Sequence, residues 1–262
     1  MKTLFNTTVI FLIAVSIVLS FSFTFKVPEV EYYQIKVYHL KNDAQVQRVD
    51  NFLQNAYLPA MHRIGINDIG VFKPVQQDST DLKIVVVVPY PSLDKISGIE
   101  ADLLKDKKYL AAAADYVDAP HTNAPYVRLE VIILKAFSHH PRLQKPGLKG
   151  PRDQRIYELR SYEGHTEKIF ANKVKMFNEG GEVALFKRLG FNAVFYGEVV
   201  AGPRMPNLMY MTTFENQAAR DEHWKTFSND AEWKALSSMP EYQNNVSKAD
   251  IHFLRPTSYS DY

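Results

Sequence analysis

Two short segments hold most of the side chains that could move a proton or fix an anion. Gln34, Lys36 and Tyr38 alternate within Tyr32 to His39, and Glu158, Arg160 and Tyr162 alternate within Ile156 to Tyr162. Residues at every second position of a strand share one face. A carboxylate, a guanidinium and a phenol on one face could take up a proton and hold the anion left behind. His252, between Ile251 and Phe253, adds an imidazole that titrates near neutrality. Tyr162, Glu158, Arg160 and His252 are therefore the candidate catalytic residues. Gln34, Lys36, Tyr38, Glu158, Arg160, Tyr162 and His252 are the candidate ligand-binding set.

Other chemistries lack their residues. The chain has no cysteine, so disulfides, thiolate nucleophiles and cysteine-held metals are excluded. None of the 8 histidines forms a helical metal-binding pair, and His139-His140 sits in a Pro- and Gly-rich stretch without partners. No phosphate loop or Gly-x-Ser-x-Gly elbow is present. No metal and no cofactor is expected. The net charge of +2 gives no electrostatic footprint for nucleic acid.

The elements that must position these groups occur twice. Tyr33-Gln-Ile-Lys-Val-Tyr38 returns as Tyr157-Glu-Leu-Arg-Ser-Tyr162, Arg63-Ile-Gly65 as Arg188-Leu-Gly190, and Asp106-Lys-Lys-Tyr109 as Asp230-Ala-Glu-Trp233. The shifts are 124, 125 and 124 positions, which marks a duplicated unit. Repeat one reads as a strand over 32–39, a helix over 44–64 disturbed by Pro59, strands over 70–75 and 82–88, a helix over 93–114 and a strand over 126–137. Repeat two reads as a strand over 155–162, a helix over 166–188 broken at Gly180-Gly181, and strands over 193–200 and 207–214. Two capped helices follow over 216–227 and 229–237, then a strand over 249–255. Gly65 and Gly190 suit left-handed helix ends.

Each unit is thus β-α-β-β-α-β. The fold class is α+β: two tandem ferredoxin-like repeats packing sheet to sheet as a pseudo-dimeric α/β barrel. The divisions are a leader over 1–22, repeat one over 27–137, a linker over 138–155 and repeat two over 156–262. The linker is rich in Pro, Gly and basic residues, with almost nothing to bury. The apolar strand faces (Tyr33, Ile35 and Val37; Tyr157, Leu159 and Ser161) are expected to carry the helices. The polar faces should then meet and line an enclosure, with Glu158 paired to Arg160 or Lys36, because an unpaired buried charge is costly.

Several residues of repeat two resemble the NIPSNAP family. Ile156-Tyr-Glu-Leu-Arg-Ser-Tyr162 resembles its opening strand and Arg188-Leu-Gly190 its helix end. Ala219-Arg220, Trp224 and Asn229-Asp-Ala-Glu-Trp233 resemble its closing signature, with Ala231 where proline is usual. The resemblance covers about 155–256. Repeat one shows it weakly, with Lys36 in place of Arg and Tyr109 in place of the second Trp. It implies the dimeric α/β-barrel superfamily, which includes cofactor-free monooxygenases and haem proteins, and it implies little chemistry.

The N-terminus reads as an export signal: Lys2, an apolar run from Val9 to Leu19, and small residues at Ser20 and Ser22. Cleavage after Ser22 would release the protein to a periplasmic or extracellular space. An uncleaved segment would anchor it, the sole membrane contact expected. Two function classes remain. One is an exported protein that binds a small or hydrophobic ligand, or a protein partner. The other is a cofactor-free oxygenase or isomerase using the four candidates above. A closed cavity of about 300 Å³ or more holding His252 and Tyr162 would favour the enzyme. A monomer suffices if the repeats satisfy each other, and a homodimer follows if they do not.

Overall fold

The computed structural model describes residues 29–262. The expected leader over 1–22, cleaved or retained as an anchor, lies outside these residues. Among them, no helix is long and apolar enough to cross a membrane.

Eight strands form one closed antiparallel barrel. They are β1 (Tyr32–Leu40), β2 (Gly70–Pro74), β3 (Leu82–Tyr90), β4 (Arg128–Ala136), β5 (Ile156–Glu163), β6 (Phe195–Ala201), β7 (Asn207–Phe214) and β8 (Lys248–Pro256). Their order around the barrel is β1-β3-β2-β8-β5-β7-β6-β4. Each repeat therefore supplies a four-stranded sheet with its first strand inside. The sheets join where β2 meets β8, with Lys73 opposite Arg255, and where β4 meets β6, with Ala136 opposite Gly197. Closure within a single chain leaves no free sheet edge among the described residues.

The connecting helices lie outside the barrel. They are α1 (Asp43–Phe52), α2 (Leu58–Arg63), α3 (Leu93–Leu103), α4 (Lys107–Val117), α5 (Glu167–Asn178), α6 (Glu182–Arg188), α7 (Gln217–Asn229) and α8 (Ala231–Ser238). Side-chain caps start six of them: Asn42, Ser92, Asp106, Thr166, Asn216 and Asp230 each accept a backbone N–H of the first turn. A π-helical segment over Leu53–Tyr57 takes up the disturbance ahead of Pro59. The helix expected over 93–114 is two helices, because Asp106 caps a fresh start at Lys107. Gly65 and Gly190 end their helices at φ +82° and +74°, the left-handed region glycine enters without strain.

The two strand faces are the reverse of the expectation. Tyr33, Ile35, Tyr157, Leu159, Val85, Val87, Met209, Met211 and Leu254 pack together as the barrel interior. The helices of repeat one cover Tyr38, Leu40, Ile84, Val86 and Val88, and those of repeat two cover Ile156, Tyr196, Leu208 and Tyr210. The physical reason is space. Eight strands enclose just enough room for side chains to fill. The outer face can instead draw counter-charges from the helices.

The linker is docked, not free. Gln144 N–H donates to Val194 O at 2.9 Å, and the Lys149 and Gly150 N–H groups both donate to Glu215. His140 and Leu148 are buried.

Candidate functional site

Glu158 is fully buried and faces α7, not the barrel interior. Its Oε1 accepts from Arg160 Nε at 2.6 Å and Arg220 Nη2 at 3.0 Å, and its Oε2 from Arg220 Nε at 2.7 Å and Trp224 Nε1 at 2.9 Å. The Arg160 guanidinium lies 3.6 Å from the centre of the Trp224 ring. It also donates to the Tyr162 hydroxyl, which shares a hydrogen bond of 2.9 Å with Tyr210. Burial opposes the charge on Arg160, but Tyr210, Tyr162 and Glu158 outweigh it and hold its pKa above the ordinary value. A satisfied network packed among Phe177, Phe186, Phe191 and Phe227 has the form of a latch between β5 and α7. A second latch joins α6 to α8, where Arg188 donates to Asp230 and Glu232.

Repeat one repeats this plan with the carboxylate moved. Gln34 stands where repeat two has Glu158, and Glu100 of α3 stands where it has Trp224, each 124 positions earlier. Lys36 lies 3.8 Å from Glu100 and 4.9 Å from the centre of the Tyr57 ring. Burial lowers the Lys36 pKa, with Glu100 opposing. Arg63 bonds Asp106 as Arg188 bonds Asp230. Tyr38 packs edge-on against Tyr116 and Tyr126.

Six of the seven candidate residues therefore lie between sheet and helices: Gln34, Lys36, Tyr38, Glu158, Arg160 and Tyr162. They do not line a common enclosure. His252 alone faces inward, opposite Leu159 in the register. The catalytic grouping of Tyr162, Glu158 and Arg160 with His252 is not assembled, because a strand cannot aim adjacent positions at one face.

The barrel interior has two unlike ends. At one, Phe72 packs on Tyr157 with ring centres 4.9 Å apart and Tyr33 on Phe195 at 5.1 Å, and Tyr262 covers the group. At the other lies an open cavity of about 140 Å³. Its walls are aliphatic, among them Ile35, Val37, Val85, Ile132, Leu159 and Met209, and its polar rim includes His39, Lys83, Glu130, Ser161, Arg204 and His252. Burial lowers the His252 pKa, with Asp250 opposing and Lys83 and Arg204 assisting. His39 and Lys83 were missed in the sequence. Their signal was alternation with Val37 and with Val85, which put them on the apolar face at its polar end. Among the described residues, no group of His, Asp and Glu could hold a metal ion.

Comparison with known proteins agrees with this architecture. The NIPSNAP family profile matches residues 157–261, which include Glu158, Arg160, Tyr162, Arg188, Arg220, Trp224 and Asp230 of the two latches. A NIPSNAP family protein from Agrobacterium tumefaciens is 21% identical over 40% of this chain and 96% of its own, with a TM-score of 0.36. Along most of its length the chain is similar to a candidate monooxygenase from Lactobacillus acidophilus, with 12% identity, 87% of this chain and 94% of that one covered, and a TM-score of 0.57. An anthrone oxidase-like protein gives 8%, 88%, 93% and 0.52. At these identities the likeness to the two longer neighbours shows the fold alone. No curated protein matches the sequence.

Proposed function

We propose that this chain, whose residues 157–261 match the NIPSNAP family profile, is an exported binding protein that takes a small apolar molecule into the open mouth of its barrel. One observation carries the reading: the interior is sealed by aromatic rings at one end and open at the other, with aliphatic walls below a polar rim. A ligand of that shape loses its apolar surface to water inside and keeps its polar group at the rim. At about 140 Å³ the cavity is near the size that accepts a single benzene-like ring. Closure within one chain makes a monomer sufficient for this role.

A second reading, a cofactor-free isomerase or oxygenase, keeps one of its four residues, His252, at the cavity. The volume is below the roughly 300 Å³ at which enzyme pockets begin, and Tyr162 is elsewhere, so binding is preferred. The test is calorimetric titration with 4-nitroanisole, a small ring without an ionisable group. Saturable binding by the wild-type protein, abolished in Val37→Trp and retained in Tyr162→Phe, is the expected result. Binding that survives Val37→Trp would remove the barrel mouth as the site. Secretion is tested separately, by finding the mature N-terminus outside the cytoplasm.

A further inference from the structure

The rim holds a half-buried imidazole, its side chain 17% exposed, with one ring nitrogen committed and the other free. His39 Nδ1 lies 2.8 and 3.1 Å from the two carboxylate oxygens of Asp81. The Asp81 carboxyl is itself fixed: Lys83 Nζ lies 3.0 Å from Oδ2, and the Asp81 backbone N–H donates to Asp78 O at 3.0 Å. Its pKa lies below the ordinary value, the bonds from His39 and Lys83 outweighing burial. A carboxylate only accepts, so Nδ1 carries its hydrogen and Nε2 is left for another partner. That atom is buried and has no hydrogen-bond partner among the described residues. The nearest charged group, Glu130 Oε1 at 3.7 Å, is beyond hydrogen-bond distance. His39, Lys83, Glu130, Arg204 and His252 all line the same cavity.

We propose that the Asp81–His39 pair is the ligand-recognising group of the barrel mouth, and that it selects small aromatic molecules bearing a weakly acidic hydroxyl, a phenol or an enol. This deepens the binding function proposed above and rests on it. The ring would enter the aliphatic part of the cavity and the hydroxyl would meet His39 Nε2. Proton transfer breaks the ligand O–H bond and forms the Nε2–H bond, with no other reactant. The resulting imidazolium lies between Asp81 and Glu130, and the ligand anion stays in contact with Nε2–H. If His39 is already protonated, the same ion pair forms when the anion binds directly. The site should therefore hold such a ligand as its anion under conditions where the free ligand is largely neutral.

The experiment is absorbance titration with 4-nitrophenol, whose anion has its own long-wavelength band, at a pH one unit below the probe's solution pKa. With wild-type protein the anion band should grow saturably with binding. His39→Gln should lose at least tenfold in affinity and bind only the neutral form, Asp81→Asn should fall between them, and Tyr162→Phe should match wild type. An unshifted spectrum on binding, or an equal anion band in His39→Gln, overturns the proposal. Asp81→Asn provides the same decision if His39→Gln does not fold. Binding of 4-nitroanisole with 4-nitrophenol held neutral would refute the pair and leave the barrel-mouth site standing. If neither probe binds, both proposals fail.

Discussion

Replacing Glu158 with alanine removes the acceptor for four N–H donors at once. Arg160 and Arg220 then lie beside an unfilled space, with side chains 11% and 17% exposed. Removing one partner of a buried ion pair costs about 3–5 kcal/mol, because the remaining charge has lost water and gained nothing. Here the charge left is doubled, and Trp224 Nε1 is also orphaned, so the upper half of that range is expected. Asp221 softens the loss only for Arg220. The comparison variant is Glu100→Ala. Its partner Lys36 is buried, but Glu100 is 71% exposed at 3.8 Å, so its removal should cost about 1 kcal/mol or less. Urea unfolding followed by circular dichroism reports both, as midpoint shifts at constant slope. Equal costs for the two variants, or less than about 1 kcal/mol for Glu158→Ala, would refute the argument that burial sets the value of this network. Binding of 4-nitroanisole by whatever Glu158→Ala protein remains folded should be unchanged, since Glu158 faces away from the mouth.

Three further outcomes are expected. His140 is buried, and burial lowers its pKa, opposed by the Val194 carbonyl and assisted by Lys187. Its contribution is complete above the unfolded value of 6.5 and is lost as pH falls through the lower folded value. Urea midpoints between pH 7.5 and pH 5 should therefore fall less in His140→Gln than in wild type, by at most about 1.4 kcal/mol per pH unit. Gly65→Ala and Gly190→Ala should each cost about 1–2 kcal/mol, because both sites are left-handed and neither new Cβ would clash. Thermal melts would show the pair moving together. Leu159→Ala, at a buried position on the cavity wall, should cost about 2–5 kcal/mol. It should also admit 2-methoxynaphthalene, which calorimetry should show wild type to exclude.

The repeat and the element order were legible because duplication, periodicity and caps are local. Asn42, Asn216 and Asp230 cap where the side chains allow. The break at Asp106 was missed, although Asp106-Lys-Lys-Tyr109 aligns with Asp230-Ala-Glu-Trp233, a helix start in the other repeat, and so carried the signal. Which face of β1 and β5 points inward was not legible. Alternation separates two faces but does not label them when both are buried, and here Ile35 and Gln34 are each less than a tenth exposed. The deciding residues lie far away in sequence: Arg220 and Trp224 can satisfy Glu158 only from a helix laid on its face. The linker misled for a similar reason. Its sequence offers little to bury, but its backbone N–H groups find acceptors on Val194 and Glu215.

Comparison of the repeats suggests why only one half carries the full signature. The position between the first strand and the second helix region needs one negative group to offset the cation at Lys36 or Arg160. Repeat two places it on the strand as Glu158, fully buried, which then requires a second cation and an indole N–H to complete its shell. Repeat one places it on the helix as Glu100, whose side chain is largely exposed and needs no further protein partner. A strand-borne carboxylate thus demands Arg and Trp one turn apart on α7, and a helix-borne one does not. Exchanging the arrangements by Gln34→Glu alone should therefore destabilise repeat one. Ile96 and Glu100, the positions matching Arg220 and Trp224, would present it with an alkyl group and a second carboxylate. Adding Ile96→Arg and Glu100→Trp should recover much of that loss. A triple variant no more stable than Gln34→Glu would show that the latch depends on more of α7 than these two side chains.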